Sequence, residues 1–576
     1  MNLDLDHRIA GVLVPIFAIR GEGDLGIGDA VSLVELIDWA AEIGFTVVKI
    51  LPVNETGGDH SPYNAISSRA LDPTTIRSTP DHLPDLRQAD FDEALAAVDR
   101  TKLEEPVVEY ATVKPLKAQL LQAAFDRFRK KARESRRVHE FQEFCQAEAE
   151  WLENYTLFRV LLEMHSGERW DRWPEEHRTP ASAHAWLQTL PPRKAQLFAK
   201  RRQFFSYVQW IAFSQWRAAK AHAESRGVAL MGDIPFGVSF QSADVWSHPH
   251  LFLSGWYGGT PPDKIFKHDP FVVKWGQNWG IPLYDWKAMR AEGFKWWRER
   301  VRGVREFFDL FRIDHVLGFY RIYGFPWAPE RNGEFLPLNE HEARERANGE
   351  LPHFQPRPDN THENREANRR DGEEYLRVIL EEAGVGHVIG EDLGEVPDYV
   401  RPNLTQLGIA GYKIPAWEKR HDGSLIPGSE YQRLSLVTYG THDHEPVRAT
   451  WEHLNKEAAD PHHGGGARHE LRILANFAGW NDPPSHFTPE LHQALLKALF
   501  CSNSWIAVVM VTDLFGRTER FNYPGVSGSE NWSQRLHATV AEMRKDANLP
   551  AVTALIRACG RVTPKRGQET PPAESK

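Results

Sequence analysis

Strand-like and helix-like segments alternate along this 576-residue chain, and the alternation predicts an α/β fold, a (β/α)8 TIM barrel with inserted, mainly helical subdomains. Short apolar runs that are rich in β-branched residues and end in polar residues recur eight times. The segments between them carry apolar residues at helical spacing. With 41% hydrophobic and 26% charged residues, the composition is that of a globular protein with a large core.

The candidate strands are continuous apolar runs, which is typical of a parallel sheet buried on both faces. They are Gly11–Phe17, Thr46–Pro52, Ala229–Phe236, Leu310–Asp314, His387–Glu391, Gly411–Pro415, Leu434–Thr441 and Trp505–Thr512. Amphipathic segments at Ala30–Ile43, Phe205–Ser225 and Glu373–Ala383 predict helices on the outside of the barrel.

The spacing of these strands predicts where the insertions lie. Residues 1–75 hold the first two strands, residues 76–200 an inserted helical subdomain, and residues 201–562 the rest of the barrel with insertions at about 255–280 and 328–371. Within the first insertion, Leu116–Ser135 and Val138–His165 have apolar residues at i, i+3 and i+4. The polar stretch Glu330–Asp371 predicts a surface excursion with little core, and residues 563–576 a disordered tail.

Charge and cysteine content narrow the class of protein. With a net charge of −10, the chain has no overall positive potential that would attract a polyanion, so we expect no nucleic-acid partner. Cys145, Cys501 and Cys559 are far apart in sequence, so we expect neither a disulfide framework nor a zinc site, and a cytoplasmic location. The acidic residues in Met1–His7 do not fit an export signal. The most apolar run, Trp505–Val511, is too short to cross a membrane as a helix.

Carboxylates follow three of the predicted strands. Asp314 ends the fourth candidate strand, Glu391 ends the fifth, and Asp443 follows the seventh. A single aspartate in this position usually caps a helix, but active sites of (β/α)8 barrels lie at the carboxyl ends of the strands. Three carboxylates at one rim therefore predict a catalytic site. The 20 tryptophans favour a carbohydrate ligand, because an indole face can stack on a sugar ring.

Several motifs occur in the order and spacing of a known family. Four lie at the ends of candidate strands, Gly232–Phe236, Arg312–His315, Gly390–Gly394 and Gly440–Asp443, and the others are Gly26–Asp29, Ser61–Tyr63, Trp151–Tyr155, Trp275–Gly280 and Asn522–Gly525. Between about residues 10 and 536 the chain resembles the 4-α-glucanotransferases (amylomaltases, disproportionating enzymes) of glycoside hydrolase family 77.

The resemblance implies a retaining transfer of α-1,4-glucan segments between maltooligosaccharides, with glucose or a glucan as acceptor and without metal or cofactor. Asp314 would be the nucleophile, Glu391 the general acid and base, and Asp443 the carboxylate that holds sugar hydroxyls. Arg312 lies two residues before Asp314 and so on the same face of the strand. The implied substrate-binding residues are Tyr63, Asp233, Asp263, Trp279, Arg312, His315, His442 and Asn522.

Two features depart from the family pattern. The family usually has asparagine after the third aspartate, where this chain has His444. The segment Lys264–Trp275 is longer than in the shorter family members, in which it forms the lid over the acceptor site. The resemblance therefore says least about acceptor preference.

Other functions have weaker support in the sequence. Gly21–Gly26 matches GxGxxG, but Glu22 and Asp24 would lie beside a pyrophosphate, so a structural loop is the better interpretation. The histidines near 442 and 462 lack the spacing of a metal site. An α-1,4-glucan hydrolase on the same residues, and a non-catalytic glucan-binding protein, remain as alternatives.

Overall fold

A computed structural model describes residues 3–263, 269–525, 528 and 530–561. Its strands are β1 Ile9–Leu13, β2 Val47–Lys49, β3 Ala229–Ile234, β4 Phe252–Thr260, β5 Gln277–Tyr284, β6 Leu310–Ile313, β7 Ile322–Phe325, β8 His353–Gln355, β9 Val388–Gly390, β10 Gly411–Lys413, β11 Ser435–Val437 and β12 Ile506–Met510. The predicted tail, 563–576, lies outside the described residues.

Helices fill most of the chain between the strands. They are α1 Ala30–Ile43, α2 Gln88–Ala96, α3 Thr101–Glu104, α4 Tyr110–Phe128, α5 Arg136–Ala147, α6 Ala149–Met164, α7 Pro180–Thr189, α8 Pro192–Arg226, α9 Ala243–Ser247, α10 Pro270–Trp275, α11 Trp286–Ala291, α12 Lys295–Phe307, α13 Asn332–Phe335, α14 Glu340–Arg346, α15 His362–Ala383, α16 Val400–Leu407, α17 Val447–Ala458, α18 Gly465–Phe477, α19 Pro489–Cys501, α20 Val511–Leu514, α21 Val540–Met543 and α22 Leu549–Ala558.

Eight parallel strands form the barrel, and each overlaps one of the eight runs predicted from the sequence. Their order is β10, β11, β12, β1, β2, β3, β6 and β9. The ring closes where the Gly390 N–H donates to the carbonyl of Ala410 at 2.9 Å. The (β/α)8 prediction is confirmed, and the carboxyl ends of all eight strands meet at one rim.

Residues at the two ends of the first helix determine where it begins and where it ends. Asp29 caps α1 by accepting the N–H groups of Val31 and Ser32. Gly44 ends the helix at φ 101°, in the left-handed region that favours glycine. The carboxylate of Asp29 also forms a buried ion pair with Arg77 at 2.6 Å, so the cap ties the first crossover to the loop after β2.

The interval between β2 and β3 is helical, as its apolar spacing predicts. Helices α2 to α8 occupy it, and the 35-residue α8 returns the chain to the barrel. Gln209 of α8 donates to the carbonyl of Leu71 and accepts its N–H. The carboxyl-terminal part of α8 packs on α1, where His222 and Arg226 contact Asp38.

A second sheet over the rim was not predicted. Strands β5, β4, β7 and β8 form it with antiparallel pairing. It uses the 255–280 segment, whose Gly258 and Gly259 leave too little apolar alternation to predict a strand. A Cβ on Gly259 would lie 1.8 Å from the carbonyl oxygen of Gln277, so close strand contact requires glycine there.

The polar stretch Glu330–Asp371 holds a small core, while most of its other residues are exposed or half-buried. Phe335 and Ala343 are fully buried in a cluster with Trp275 and Trp327. The rings of Trp327 and Phe335 stack at 3.7 Å. The few apolar residues of this stretch pack on aromatic residues from distant segments, which its own composition does not reveal.

The cysteine expectation is also wrong for one pair. Cys501, at the end of α19, and Cys559, just after α22, are joined in a disulfide although 58 residues separate them. The expectation of a reducing compartment rests on the cysteines being unpaired, and this disulfide removes that argument. Among the described residues, no helix has the length and apolar content needed to span a membrane.

Arg561 closes the amino-terminal end of the barrel, and its removal provides a stability test. It is fully buried and donates to the carbonyls of Ile9, Phe500, Ser502, Ser504 and Trp505. The carbonyls of Trp505 and Ser502 each have a second donor, the Ile9 N–H and Arg8 respectively. Arg561→Ala removes a donor from every one of these carbonyls, so we expect the free energy of unfolding to fall by about 3–5 kcal/mol in a denaturant titration.

The control is Arg557→Ala, on an exposed position of α22. We expect this change to alter stability by less than about 0.5 kcal/mol. Equal stability of the Arg561→Ala and Arg557→Ala proteins would contradict the role given to Arg561.

Candidate active site

Three carboxylates lie at the carboxyl rim of the barrel. Asp314 directly follows β6, Glu391 directly follows β9, and Asp443 lies in the loop after β11. Their side chains are 29%, 17% and 35% exposed. Each carboxylate therefore reaches the cleft while most of its surface is shielded from water.

The guanidinium of Arg312 connects two of these carboxylates. Arg312 is fully buried at the end of β6, and its Nη2 lies 2.8 Å from Asp314 Oδ1 and 3.1 Å from Glu391 Oε1. Its Nη1 donates to both carboxylate oxygens of Asp233 at 2.8 Å. Burial opposes the charge, but the neighbouring carboxylates raise the pKa of Arg312 well above its ordinary value. Arg312 is a permanent cation.

Asp314 and Glu391 form a coupled acidic pair. Burial raises the pKa of the Asp314 carboxyl to about 8, and the charges of Glu391 and Asp233 act in the same direction against Arg312. Like charges this close resist joint ionisation. The two carboxyl groups therefore hold one proton between them at neutral pH.

The other side of Asp233 faces an aromatic residue. Tyr63, in the loop after β2, donates its hydroxyl to Asp233 Oδ2 at 3.0 Å. The rings of Tyr63 and His442 stack at 5.0 Å, so His442 covers one face of the tyrosine. Burial raises the pKa of Tyr63 well above its ordinary value, and the phenol stays neutral.

Asp443 is held by donors from three directions. His442 Nε2 lies 3.2 Å from Asp443 Oδ1, and the amide of Asn522 donates to the same oxygen at 2.6 Å. Arg520 donates to the backbone carbonyl of Asp443 at 2.7 Å. Burial alone would raise the pKa of Asp443, but His442 and Asn522 together lower it well below its ordinary value. Asp443 is a carboxylate across the physiological range.

His315 and Trp279 lie beside this network. His315 has φ 46°, and its N–H donates to Glu391 Oε2 at 2.8 Å. Burial lowers the pKa of its imidazole to about 4, so the ring is neutral. The Trp279 ring, on β5, contacts the His315 ring at 4.9 Å and is 38% exposed. The second sheet thus places a solvent-exposed aromatic ring beside the cleft.

Asp263 lies three residues after β4, at the edge of the described part of this loop. Its N–H donates to the carbonyl of Val272 at 3.4 Å. Residues 264–268 of the predicted lid lie outside the described residues. The other predicted site residues, in contrast, form one connected cluster at the rim.

Sequence reasoning missed Trp417, which lies four residues after β10 and is 52% exposed. Its ring contacts the His444 ring at 5.3 Å. The Thr441 N–H donates to His444 Nδ1 at 3.0 Å, which leaves Nε2 as the protonated nitrogen of the neutral ring. Active sites of (β/α)8 barrels are built from the loops after the strands, so the position of Trp417 after a predicted strand was a signal that could have identified it.

Comparisons with known proteins identify the family of this chain. A family model described as 4-alpha-glucanotransferase, glycoside hydrolase family 77, matches residues 14–540. This chain belongs to that family and is an enzyme of that type.

Similar proteins include two named 4-alpha-glucanotransferase. The protein from Chlamydia caviae is 30% identical over 92% of this chain and 91% of its own length. That from Thermus thermophilus is 30% identical over 87% and 89%. The amylomaltase from Streptococcus agalactiae, solved in complex with acarbose, has the same fold, with a TM-score of 0.75 at 22% identity over 96% of this chain and all of that one.

Asn522 provides a test of the electrostatics at Asp443. In Asn522→Ala the carboxylate loses a donor that favours its ionised form, so the pKa of Asp443 rises. A carboxylate with a raised pKa loses its charge at a higher pH, so the lower of the two acid transitions in the kcat/KM profile, the one set by Asp443 below that of Asp314, moves to higher pH. Each unit of movement lowers kcat/KM about tenfold below that transition. The measurement is a pH profile of glucan disproportionation.

The matched control is Asn476→Ala, an exposed asparagine on α18, which leaves the profile in place. A uniform loss of activity in Asn522→Ala, with the lower acid transition unmoved, would show that Asn522 does not act through the charge of Asp443.

Proposed function

We propose that this enzyme moves α-1,4-glucan segments from a donor maltooligosaccharide to the 4-hydroxyl of glucose or another glucan through a covalent ester on Asp314. The observation that carries the proposal is the shared contact of Asp314 and Glu391 with Arg312 Nη2. It limits the separation of the two contacting oxygens to about 6 Å, close to the roughly 5–5.5 Å of retaining pairs and short of the 6.5–9.5 Å that an inverting water requires.

In the first half-reaction, the Asp314 carboxylate attacks the anomeric carbon of the donor. The bond from that carbon to the glycosidic oxygen breaks, and the proton held on Glu391 passes to the leaving oxygen. Arg312 Nη2 contacts both carboxylates but lies closer to Asp314, at 2.8 Å against 3.1 Å for Glu391, which supports Asp314 as the ionised nucleophile. The single proton of the pair is then the proton that the leaving group needs.

In the second half-reaction, Glu391 acts as a base. It takes the proton from the 4-hydroxyl of the acceptor while that oxygen attacks the anomeric carbon and the bond to Asp314 breaks. The Asp314 carboxylate and the protonated Glu391 are restored. No oxidant, metal or external acid is required for either step.

The remaining residues of the cluster suit the binding of a sugar ring. Asp443 and His442 offer an acceptor and a ring nitrogen for hydroxyls, and Asn522 keeps the Asp443 carboxylate oriented. Tyr63 has one face available for a sugar because His442 covers the other. His315 is neutral and can donate or accept, and the exposed ring of Trp279 can stack on the acceptor side. We assign Asp263 to the same side, near the lid.

Transfer rather than hydrolysis requires that water be kept from the ester. The second sheet supports transfer because it covers one side of the rim with Trp279 on β5, while Tyr284 of the same strand donates to the carbonyl of Phe236. The acarbose complex of the S. agalactiae relative supports an oligosaccharide ligand. We therefore place α-1,4-glucans and maltooligosaccharides in this cleft.

The nucleophile can be trapped with α-maltosyl fluoride, whose fluoride leaves without protonation. In Glu391→Gln the first half-reaction then proceeds, but no base activates the acceptor, so the ester accumulates. Intact-protein mass spectrometry should show one added maltosyl group, and peptide mapping should place it on Asp314.

The matched control is the double variant Asp314→Asn/Glu391→Gln, which should remain unlabelled. A label on another carboxylate, such as Asp443, would overturn the assignment of Asp314 as nucleophile. No label in Glu391→Gln would overturn the covalent mechanism.

Products from maltotriose distinguish transfer from hydrolysis. With the wild-type enzyme we expect both longer oligosaccharides and glucose or maltose, because the ester passes to a second sugar. The measurement is chromatography of the products over time. Shorter products alone, with one new reducing end for each bond broken, would show a hydrolase on the same residues.

A further inference from the structure

A buried lysine lies in the barrel interior, where the proposed mechanism gives it no part. Lys49, the last residue of β2, is 1% exposed. Its Nζ donates to the hydroxyl of Tyr412, on β10, at 2.7 Å. Strands β2 and β10 are four places apart in the ring of eight, so this hydrogen bond crosses the barrel.

The charged groups that face Lys49 are those of the active site. Arg312 repels it, while Asp233, Glu391 and Asp314 attract it. Tyr412 is under the influence of the same four groups. The residues paired with Lys49 on the adjoining strands, Leu13 of β1 and Met231 of β3, are apolar.

A lysine ammonium in such a place is costly unless anions compensate it. A tyrosine hydroxyl is a neutral acceptor and satisfies one of the three ammonium donors. Burial accordingly lowers the pKa of Lys49 to about 8, although the site carboxylates favour its charge. The ammonium is therefore held by the field of the carboxylates and remains the dominant form at neutral pH.

The number of charges explains why a second cation is useful. In the proposed mechanism, Arg312 contacts Asp233 and the attacking Asp314 carboxylate before transfer, while Glu391 is the proton donor. In the ester intermediate, Asp233 and Glu391 are the anions, since Asp314 is esterified. In both states at least two anions contact Arg312, which supplies one positive charge, so a second cation nearby lowers the electrostatic cost of their ionisation.

We infer that Lys49 is a positioning residue that supplies a second cation under the active site and so favours ionisation of the pair formed by Asp314 and Glu391. This inference rests on the proposed roles of Asp314 and Glu391. Lys49 touches neither the substrate nor the reacting atoms in this account. It acts through the electrostatic potential at the carboxylates, with Tyr412 fixing the place of its ammonium.

The test is the pH profile of kcat/KM for maltotriose disproportionation in Lys49→Gln. Without the ammonium, the pKa of Asp314 rises further, so the acid limb moves to higher pH and kcat/KM falls about tenfold for each unit of movement. The difference from wild type should narrow as the pH rises through about 8, where the native Lys49 loses its own charge.

A second variant keeps the test decisive should Lys49→Gln fail to fold. Tyr412→Phe removes the acceptor of the ammonium with little change of shape, which destabilises the charged form of Lys49 and moves the acid limb in the same direction. The matched control is Lys117→Gln. Lys117 is also buried, with its pKa lowered by burial to about 8, but it donates to the carbonyls of Thr74 and Ile76 away from the catalytic pair.

We expect Lys117→Gln to lower thermal stability and to leave the pH profile in place. An unmoved acid limb in both Lys49→Gln and Tyr412→Phe, at any level of activity, would overturn the inference. Maltosyl fluoride labelling of Glu391→Gln, carried out in parallel, distinguishes failure of the Lys49 inference from failure of the covalent mechanism. A label on Asp314 with an unmoved limb refutes the role of Lys49 alone, whereas a missing label refutes the mechanism on which it rests.

Discussion

The burial of one guanidinium is the constraint on which this active site depends. Arg312 has no exposed surface, and a charge so placed is tolerated only where anions surround it. Its contacts with Asp233, Asp314 and Glu391 bring the ends of β3, β6 and β9 into one cluster. The barrel supplies three adjacent strand ends, and the guanidinium makes them a single chemical unit.

The two terminal nitrogens of the Arg312 guanidinium contact different partners. Asp233 and Tyr63 hold one side of the guanidinium, while the other side faces the pair that shares a proton. Asp443 is set apart from this pair by its own donors, His442 and Asn522, which keep it ionised. Three carboxylates at one rim thus occupy different protonation states, because each has different neighbours.

Much of this could be predicted from the sequence. All eight barrel strands were found because parallel strands buried on both faces are continuous apolar runs, and the rim carboxylates follow from the fold. The second sheet, the core around Phe335 and the disulfide of Cys501 with Cys559 were not found, since each depends on contacts between distant segments. Lys49 and Trp417 were missed for a similar reason: the sequence does not show that β2 and β10 face each other, nor that Trp417 remains exposed beside His444.

Neutron diffraction of the unliganded enzyme at neutral pD would test the central claim most directly, because it locates deuterons on carboxyl groups. We predict one deuteron on the pair formed by Asp314 and Glu391, a fully deuterated Arg312 between them, and none on Asp443. A deuteron on both members of the pair, on neither, or on Asp443 would contradict the account.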